Sequence, residues 1–141
     1  DPAAKGAFFG LNLTHTRGDL YRAVLEGIAA GTAQILDCYQ ELDAVPDRLR
    51  AVGGGVQNAV WLQATSDFAA LPQEVCARSI GASYGDAFLA ALAIGAALPG
   101  DIAAWNPVAR RIAAEPEPTY DRQYPLWKRL YAQTRDISAE L

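Results

Sequence analysis

Three consecutive glycines, at positions 53–55, constrain the folding of this chain more than any other feature. They separate a short apolar segment, residues 49–52, from a helical pattern that covers residues 56–71. Because glycine has no side chain, the backbone can turn sharply there and come close to another group. The segment therefore predicts a strand, a tight turn and a helix whose first N–H groups are free to bind a ligand.

The chain before the glycines predicts a strand and a long helix. Residues 7–13 are apolar and aromatic, which is typical of a buried strand. Thr16 and Asp19 have the spacing of a capping box, and large apolar residues follow at every third or fourth position, so a helix is predicted over residues 17–42. The apolar stripe of this helix consists of Leu20, Val24, Ile28, Ile35, Tyr39 and Leu42.

The chain after the second helix continues the alternation. A strand is predicted at residues 74–77 and a third helix at residues 81–95. Strands that alternate with helices favour a parallel α/β sheet. Residues 114–119 have the composition of an extended acidic linker, and the apolar spacing beyond them predicts a C-terminal helix that lies across the domain.

The composition is that of an ordinary globular domain. Of the 141 residues, 51% are hydrophobic and 20% are charged, with a formal net charge of −4. The basic residues are scattered, so neither nucleic acid nor an anionic membrane is an expected partner. Apolar runs such as residues 87–97 are too short to span a bilayer. The absence of methionine leads us to expect a piece of a longer polypeptide.

The cysteines and the single histidine argue against metal chemistry. Cys38 and Cys76 fall at apolar positions, which predicts buried, inert thiols and a cytoplasmic protein. The motifs Cys-x-x-Cys and His-Glu-x-x-His are absent, so no zinc site is expected. His15 lies between two threonines just before a helix, where local hydrogen bonding or an interdomain contact is expected instead of catalysis.

The glycine run is compatible with a nucleotide site, although two common signatures fail. The dinucleotide fingerprint G-x-G-x-x-G requires a third glycine where Asn58 stands, and Glu74 opens the next strand instead of closing it. The P-loop sequence G-x-x-x-x-G-K-[ST] is absent. A dinucleotide-dependent oxidoreductase is therefore a disfavoured alternative. A turn that needs glycine for its backbone alone is the structural alternative.

Residues 6–26 carry a longer pattern: G-A-F-F-G-L, seven residues, then D-L-Y-R-A-V-L-E. This pattern resembles the C-terminal signature of the FGGY carbohydrate kinases. The positions that carry the resemblance are Gly6, Phe8, Gly10, Leu11, Asp19, Leu20, Ala23, Val24, Leu25 and Glu26.

Two other segments resemble the same family. The glycine run and the sequence W-x-Q-x-x-x-D at positions 61–67 resemble part of the ATP site, with the glycine backbone facing the ADP moiety and an amide near the adenine or ribose. The cofactor-binding residues that this resemblance implies are Gly53, Gly54, Gly55 and Asn58. Residues 81–87 resemble the family's glycine and alanine cluster, which is expected to pack a helix tightly on the sheet.

The resemblance implies a fold and an activity. The fold is α/β, a ribonuclease-H-like domain of the actin/hexokinase ATPase superfamily that is incomplete at its N-terminal side. Residues 1–112 would form the core of the C-terminal kinase domain without its first strands, and residues 113–141 a linker and a helix packed on the same domain. The activity is ATP-dependent phosphorylation of a carbohydrate hydroxyl, with ATP and Mg²⁺ as cofactors and a sugar or polyol as substrate.

The segment G-L-N-L-T-H-T-R-G at positions 10–18 is most similar to xylulose kinases, which favours a ketopentose such as xylulose. The family's catalytic aspartate and phosphate loop fall outside this chain, so the chain alone is expected to be inactive, and no catalytic residue or metal ligand is assigned in it. The resemblance also allows a homodimer. The alternative is a regulator or assembly module of the same fold that binds nucleotide but has lost catalysis.

Three other polar residues lie within predicted helices. Glu26 is in the middle of a largely apolar helix, where a carboxylate needs a partner, so an anchoring hydrogen bond is expected. Gln63 and Asp67 are four positions apart on one helix face. A hydrogen bond between them and contact with the substrate both remain open.

Overall fold

A computed structural model describes residues 5–115 and 117–140. It contains five α-helices, a small sheet and two 3₁₀ turns within the described residues. In chain order the elements are α1 (Arg17–Glu41), β1 (Leu49–Ala51), a 3₁₀ turn (Gly54–Gln57), α2 (Ala59–Ala69), β2 (Gln73–Cys76), α3 (Ala82–Ala93), a 3₁₀ turn (Pro99–Asp101), α4 (Ile102–Trp105), β3 (Val108–Ile112) and α5 (Pro118–Ala139).

The sheet has the order β1-β2-β3 and mixed strand directions. β1 and β2 are parallel, as predicted, and the glycine turn and α2 connect them. β3 is antiparallel to β2, so the prediction of a purely parallel sheet was wrong. The sequence pattern did not predict β3, because most of its residues are exposed and no apolar run marks the strand.

The core lies between α2 and one face of the sheet. Val56, Leu62 and Val75 are buried together, with Ala51 and Ile112 packed at their edge. A polar residue enters this layer: the side-chain amide of buried Gln73 donates hydrogen bonds to α2, to the carbonyl oxygen of Leu62 and to Oγ of Ser66. Because these bonds satisfy the buried amide, they fasten β2 to α2 without an unpaired polar group.

Helix α1 packs against α2 through its small residues. Its buried residues are Leu25, Ala29, Ala30 and Ala33. The predicted apolar stripe lies elsewhere: five of its six residues are exposed, with Ile35 at 61%. The helix itself was predicted correctly, and its apolar stripe is not the side that α2 covers. Alanines let two helix backbones approach closely, and that approach decides which side is buried.

Residues 7–13 form no strand, which corrects a second prediction. Phe8 and Phe9 are exposed, and the exposed fraction of Phe9 is 83%. A strand is stabilised by hydrogen bonds to a neighbouring strand and by cover over its apolar side chains. Neither is available to this segment among the described residues.

Helix α5 lies across α1 and α2, as the sequence predicted for the tail. The ring of Tyr120 stacks on Phe68 of α2, with centroids 4.1 Å apart. The Tyr124 hydroxyl donates a 2.6 Å hydrogen bond to Oδ2 of Asp37, and Lys128 pairs with the same oxygen at 3.0 Å. The helix begins at Pro118, inside the predicted linker, because proline suits the first turn of a helix.

Two predictions about packing are corrected, and one is confirmed. Helix α3 buries only Phe88, which contacts the edge of Trp105. A β-carbon at Gly85 would meet no described atom within 4 Å, so the small residues at positions 81–87 do not pack tightly on the sheet. Cys38 is exposed, contrary to expectation, whereas Cys76 is buried as predicted. Within the described ranges, no helix combines the length and apolar character that crossing a bilayer requires.

Candidate nucleotide site

Gly53 opens the glycine turn and has a conformation that favours glycine. Its φ of +88° lies in the region that side chains disfavour. Its N–H donates a 3.0 Å hydrogen bond to the carbonyl oxygen of Ser79, which follows β2. The turn is therefore held against the segment beyond the neighbouring strand. The fold by itself accounts for glycine at this position.

Gly55 is required for a different reason. The indole ring of Trp61, one turn into α2, covers its α-carbon. A β-carbon at this position would lie 2.5 Å from Cζ3 of Trp61, well inside contact distance. Any side chain at position 55 would therefore force the Trp61 ring to shift.

Gly54 differs from both neighbours. It is exposed, its φ is not positive, and a β-carbon there would meet no described atom within 4 Å. Within residues 5–115 and 117–140, neither its N–H nor that of Gly55 donates to a protein acceptor. Both amides therefore lack an acceptor in the described chain, and Gly54 presents a backbone without a side chain to solvent. The described fold does not require glycine at position 54, whereas a ligand that contacts the backbone would require it.

Asn58 joins the turn to two helices. Its Oδ1 accepts a 3.1 Å hydrogen bond from the N–H of Trp61 and so caps α2, while its Nδ2 donates a 3.0 Å bond to the hydroxyl of Tyr21 in α1. Both ends of the amide are therefore engaged within the protein. Sequence reasoning selected Asn58 but missed Tyr21, since no local pattern relates positions 37 residues apart.

The start of α1 lies beside this turn through the Tyr21 contact, and its cap forms as predicted. The N–H of Asp19 donates to Oγ1 of Thr16, and the N–H of Thr16 donates to the Asp19 carboxylate at 2.7 Å. The hydrogen bonds that the Thr16 N–H and then the Thr16 hydroxyl donate to the carboxylate lower the pKa of Asp19. Nδ1 of His15 accepts a 2.9 Å bond from the N–H of Asn12, which confirms its expected local role.

Glu26 is anchored, as expected. Arg22 contacts its Oε1 at 2.7 Å, and the Tyr120 hydroxyl donates to the same oxygen at 2.7 Å. Burial raises the pKa of Tyr120; the hydrogen bond from Arg22 opposes that shift and the bond to Glu26 adds to it. The three residues link α1 to α5 and leave no sign of a catalytic role for Glu26.

Gln63 and Asp67 bind each other and the segment before α5. Nε2 of Gln63 donates to Oδ1 of Asp67 at 2.8 Å and to the carbonyl oxygen of Ala113 at 3.0 Å. The N–H of Glu115 donates to the same Asp67 oxygen. Of the two roles left open by the sequence, the hydrogen bond is therefore confirmed. The pair fastens the connection between β3 and α5.

A cavity of about 360 Å³ lies between α1, α2 and α5. Its lining consists of Arg22, Ala59, Val60, Gln63, Ala64, Asp67 and Tyr120. None of the four predicted cofactor-binding residues lines it, although Ala59 directly follows Asn58. The open glycine turn and this cavity are therefore separate features.

A metal site requires several donor side chains close together. Within the described parts of the chain, no group of three or more His, Cys, Asp or Glu side chains is arranged to hold one. These residues therefore do not fit a magnesium site.

Comparison with solved structures defines the class of domain. The structure of xylulose kinase from Rhodospirillum rubrum superimposes on 98% of this chain with a TM-score of 0.85 and 33% sequence identity, while the chain covers 29% of that protein. The fold is the ribonuclease-H-like α/β fold of the actin/hexokinase ATPase superfamily, as predicted, and the described chain covers only its C-terminal part.

Residues 1–94 match the profile of the C-terminal domain of the FGGY family of carbohydrate kinases. The chain belongs to this family, which confirms the resemblance seen in its motifs. Xylulose kinase from Staphylococcus epidermidis is 26% identical across 100% of the chain, which spans 29% of that protein. Glycerol kinase from Solidesulfovibrio magneticus is 36% identical over 67% of the chain, corresponding to 19% of that protein. The chain thus spans less than a third of these relatives.

Proposed function

We propose that the protein containing this chain transfers the γ-phosphoryl group of ATP to a hydroxyl of a sugar or polyol. The chain would supply the adenosine half of the nucleotide site. The observation that carries this proposal is the open backbone at Gly54, which the described fold does not require to be glycine. Family membership supports the reaction class.

The glycine turn would bind the ADP moiety by close approach. The N–H groups of Gly54 and Gly55 have no acceptor among the described residues and can donate to an anionic or polar acceptor. Asn58 and Tyr21 would form the side of the site next to α1, and the Asn58 amide would hold the N-terminus of α2 in place. In this proposal Asn58 positions the turn and lies near the adenine or ribose.

Mg²⁺ would enter with ATP and neutralise charge on the phosphate oxygens. The described residues offer no group that fits this ion, so its ligands and the aspartate that accepts the hydroxyl proton are expected elsewhere in the whole protein. Such phosphoryl transfer depends mainly on positioning and electrostatics. The contribution of the present residues is therefore to orient the nucleotide.

A ketopentose such as xylulose is the substrate we propose first. Two of the similar proteins above are xylulose kinases, and residues 10–18 resemble that branch of the family. A glycerol kinase also matches at 36% identity, so the polyol glycerol belongs in the same test. The cytoplasmic location and the homodimer remain predictions.

The test is a coupled ADP-release assay on the full-length gene product, with a panel of pentuloses and polyols that includes xylulose and glycerol. Turnover that depends on both ATP and one of these compounds would support the proposal. ATP binding without turnover on any of them would favour the nucleotide-binding regulator instead. Residues 1–141 alone are expected to give no turnover, and activity above background from them would contradict the assignment of the missing catalytic parts.

A further inference from the structure

A row of charged residues crosses the sheet on the face opposite the α2 core. Arg50 of β1, Glu74 of β2 and Arg111 of β3 are aligned by the strand register. Nη2 of Arg50 lies 3.2 Å from one carboxylate oxygen of Glu74, and Nη2 of Arg111 lies 3.1 Å from the other. One acidic side chain therefore holds an arginine on each side.

The carboxylate is buried beneath these arginines. The side chain of Glu74 is 8% exposed, whereas those of Arg50 and Arg111 are 50% and 74% exposed. Each guanidinium has more N–H donors than its ion pair with Glu74 uses. The solvent side of the row consequently presents guanidinium groups whose positions Glu74 restrains.

A third arginine joins the row at its edge. Nε of Arg48 lies 3.5 Å from Glu74, and its Nη1 lies 3.1 Å from exposed Asp47. Counting these residues, three guanidinium groups face two carboxylates, which leaves a net charge of +1 in a chain whose net charge is −4. The Glu74 carboxylate lies beneath the guanidinium groups, whereas the Asp47 carboxylate is 83% exposed at the Arg48 edge. The positive face of the row is therefore at Arg50 and Arg111.

We propose that this row, which we call the arginine row (Arg48, Arg50, Glu74 and Arg111), binds a phosphate group. Guanidinium forks match the oxygens of phosphate, and a doubly charged anion gains from two restrained cations. The repulsion from Glu74 opposes binding but acts from behind the guanidinium groups, and that from Asp47 acts at the Arg48 edge of the row. This site is separate from the glycine turn, and the inference does not rest on the proposed kinase activity.

The experiment measures binding of pyrophosphate to the full-length gene product by isothermal titration calorimetry. Ionic strength is held constant, because surface electrostatics are screened by salt. Inorganic phosphate and glycerol 3-phosphate are titrated in parallel arms. Tighter binding of the ester would identify an organic phosphate as the source, and tighter binding of pyrophosphate an inorganic one.

Arg50→Ala and Arg111→Ala should each weaken pyrophosphate binding by about tenfold, which corresponds to about 1.4 kcal/mol. Arg129→Ala, which removes the same charge from an exposed position on α5, should leave binding unchanged. Glu74→Gln should tighten binding, since it removes the opposing charge and keeps the shape of the side chain. If Arg111→Ala does not fold, Arg111→Lys takes its place in the titration, since it keeps the charge but loses the guanidinium fork.

Several results would overturn the proposal. The first is that no phosphate probe binds. The second is that Arg129→Ala has the same affinity for pyrophosphate as Arg50→Ala and Arg111→Ala. The third is that a folded Glu74→Gln protein no longer binds pyrophosphate. Binding that Gly54→Val abolishes would place the anion at the glycine turn and would likewise reject the arginine row.

Discussion

The indole ring of Trp61 lies directly over the α-carbon of Gly55, where a β-carbon would be 2.5 Å from Cζ3. At Gly54, one position earlier, a β-carbon would meet no described atom within 4 Å. The two adjacent positions are therefore glycine for different reasons. One is required by packing, and the other is free for a ligand.

The first prediction separates these roles by stability. Gly55→Ala should lower the free energy of unfolding by about 1–3 kcal/mol, the usual cost of overpacking, because Trp61 must move. Gly54→Ala should change it by no more than about 0.5 kcal/mol, as an exposed substitution without contacts. Urea denaturation of the full-length gene product measures both. Equal losses would show that Trp61 does not cover Gly55 in solution.

The second prediction concerns the nucleotide. Gly54→Val should raise the apparent KM for ATP far more than that for the sugar, because a branched side chain would occupy the space where ADP approaches the backbone. Gly100→Val is the matched control: Gly100 is also exposed with open space around its α-carbon, but it lies in another turn. Steady-state kinetics at varied ATP and varied sugar measure the effect. Equal changes in both KM values, or the same change in the control, would reject the site.

The third prediction concerns the Asn58 cap. Asn58→Ala should cost about 1 kcal/mol of stability, since α2 loses the acceptor for the N–H of Trp61. Its effect on the KM for ATP should be smaller than that of Gly54→Val. Tyr21→Phe removes only the 3.0 Å bond to the Asn58 amide and leaves the cap, so thermal unfolding should show a smaller loss. A larger loss in Tyr21→Phe would mean that the interhelix bond dominates the cap.

The fourth prediction concerns pH and the contact between α5 and α1. Hydrogen bonds from Tyr124 and then Lys128 lower the pKa of Asp37, so its stabilisation is present above the unfolded pKa of about 3.9 and is lost as pH falls through the folded value. Burial and the Asp37 bond raise the pKa of Tyr124. Its stabilisation is therefore complete below the ordinary tyrosine pKa of about 10 and declines as pH rises above it.

Thermal midpoints between about pH 3 and pH 11 test this dependence, since that range includes both ordinary pKa values. Asp37→Asn should reduce the acid loss, and Tyr124→Phe should reduce the alkaline loss. Asp136→Asn and Tyr39→Phe are controls at exposed positions. Unchanged acid and alkaline limbs in the Asp37 and Tyr124 variants would refute the assignment.

The fifth prediction concerns the exposed apolar surface of residues 1–141. Phe8, Phe9 and the stripe of α1 should make this piece aggregate or fold only partly when it is expressed alone, because large apolar patches recruit other chains. Replacing Phe9 with Ser and Ile35 with Gln should increase the monomer fraction in size-exclusion chromatography. A monodisperse, cooperatively melting monomer of the unaltered piece would contradict the prediction.

The sequence by itself determined the features that depend on near neighbours. The Thr16–Asp19 capping box, the glycine turn after β1 and the hydrogen bond between Gln63 and Asp67 all join residues a few positions apart. Their physical basis is backbone geometry and the spacing of a helical turn, which local sequence specifies. The family signature added the nucleotide interpretation, which geometry supports most directly at Gly54.

Only the tertiary structure decided which surfaces meet. It buried Ala29 and Ala33 of α1 instead of Ile35, placed β3 antiparallel to β2, and brought Arg50 and Arg111 to the two oxygens of Glu74. These outcomes depend on contacts between residues far apart in the chain. Periodicity shows that a helix has an apolar stripe, but burial depends on which partner is present and how closely the backbones can approach.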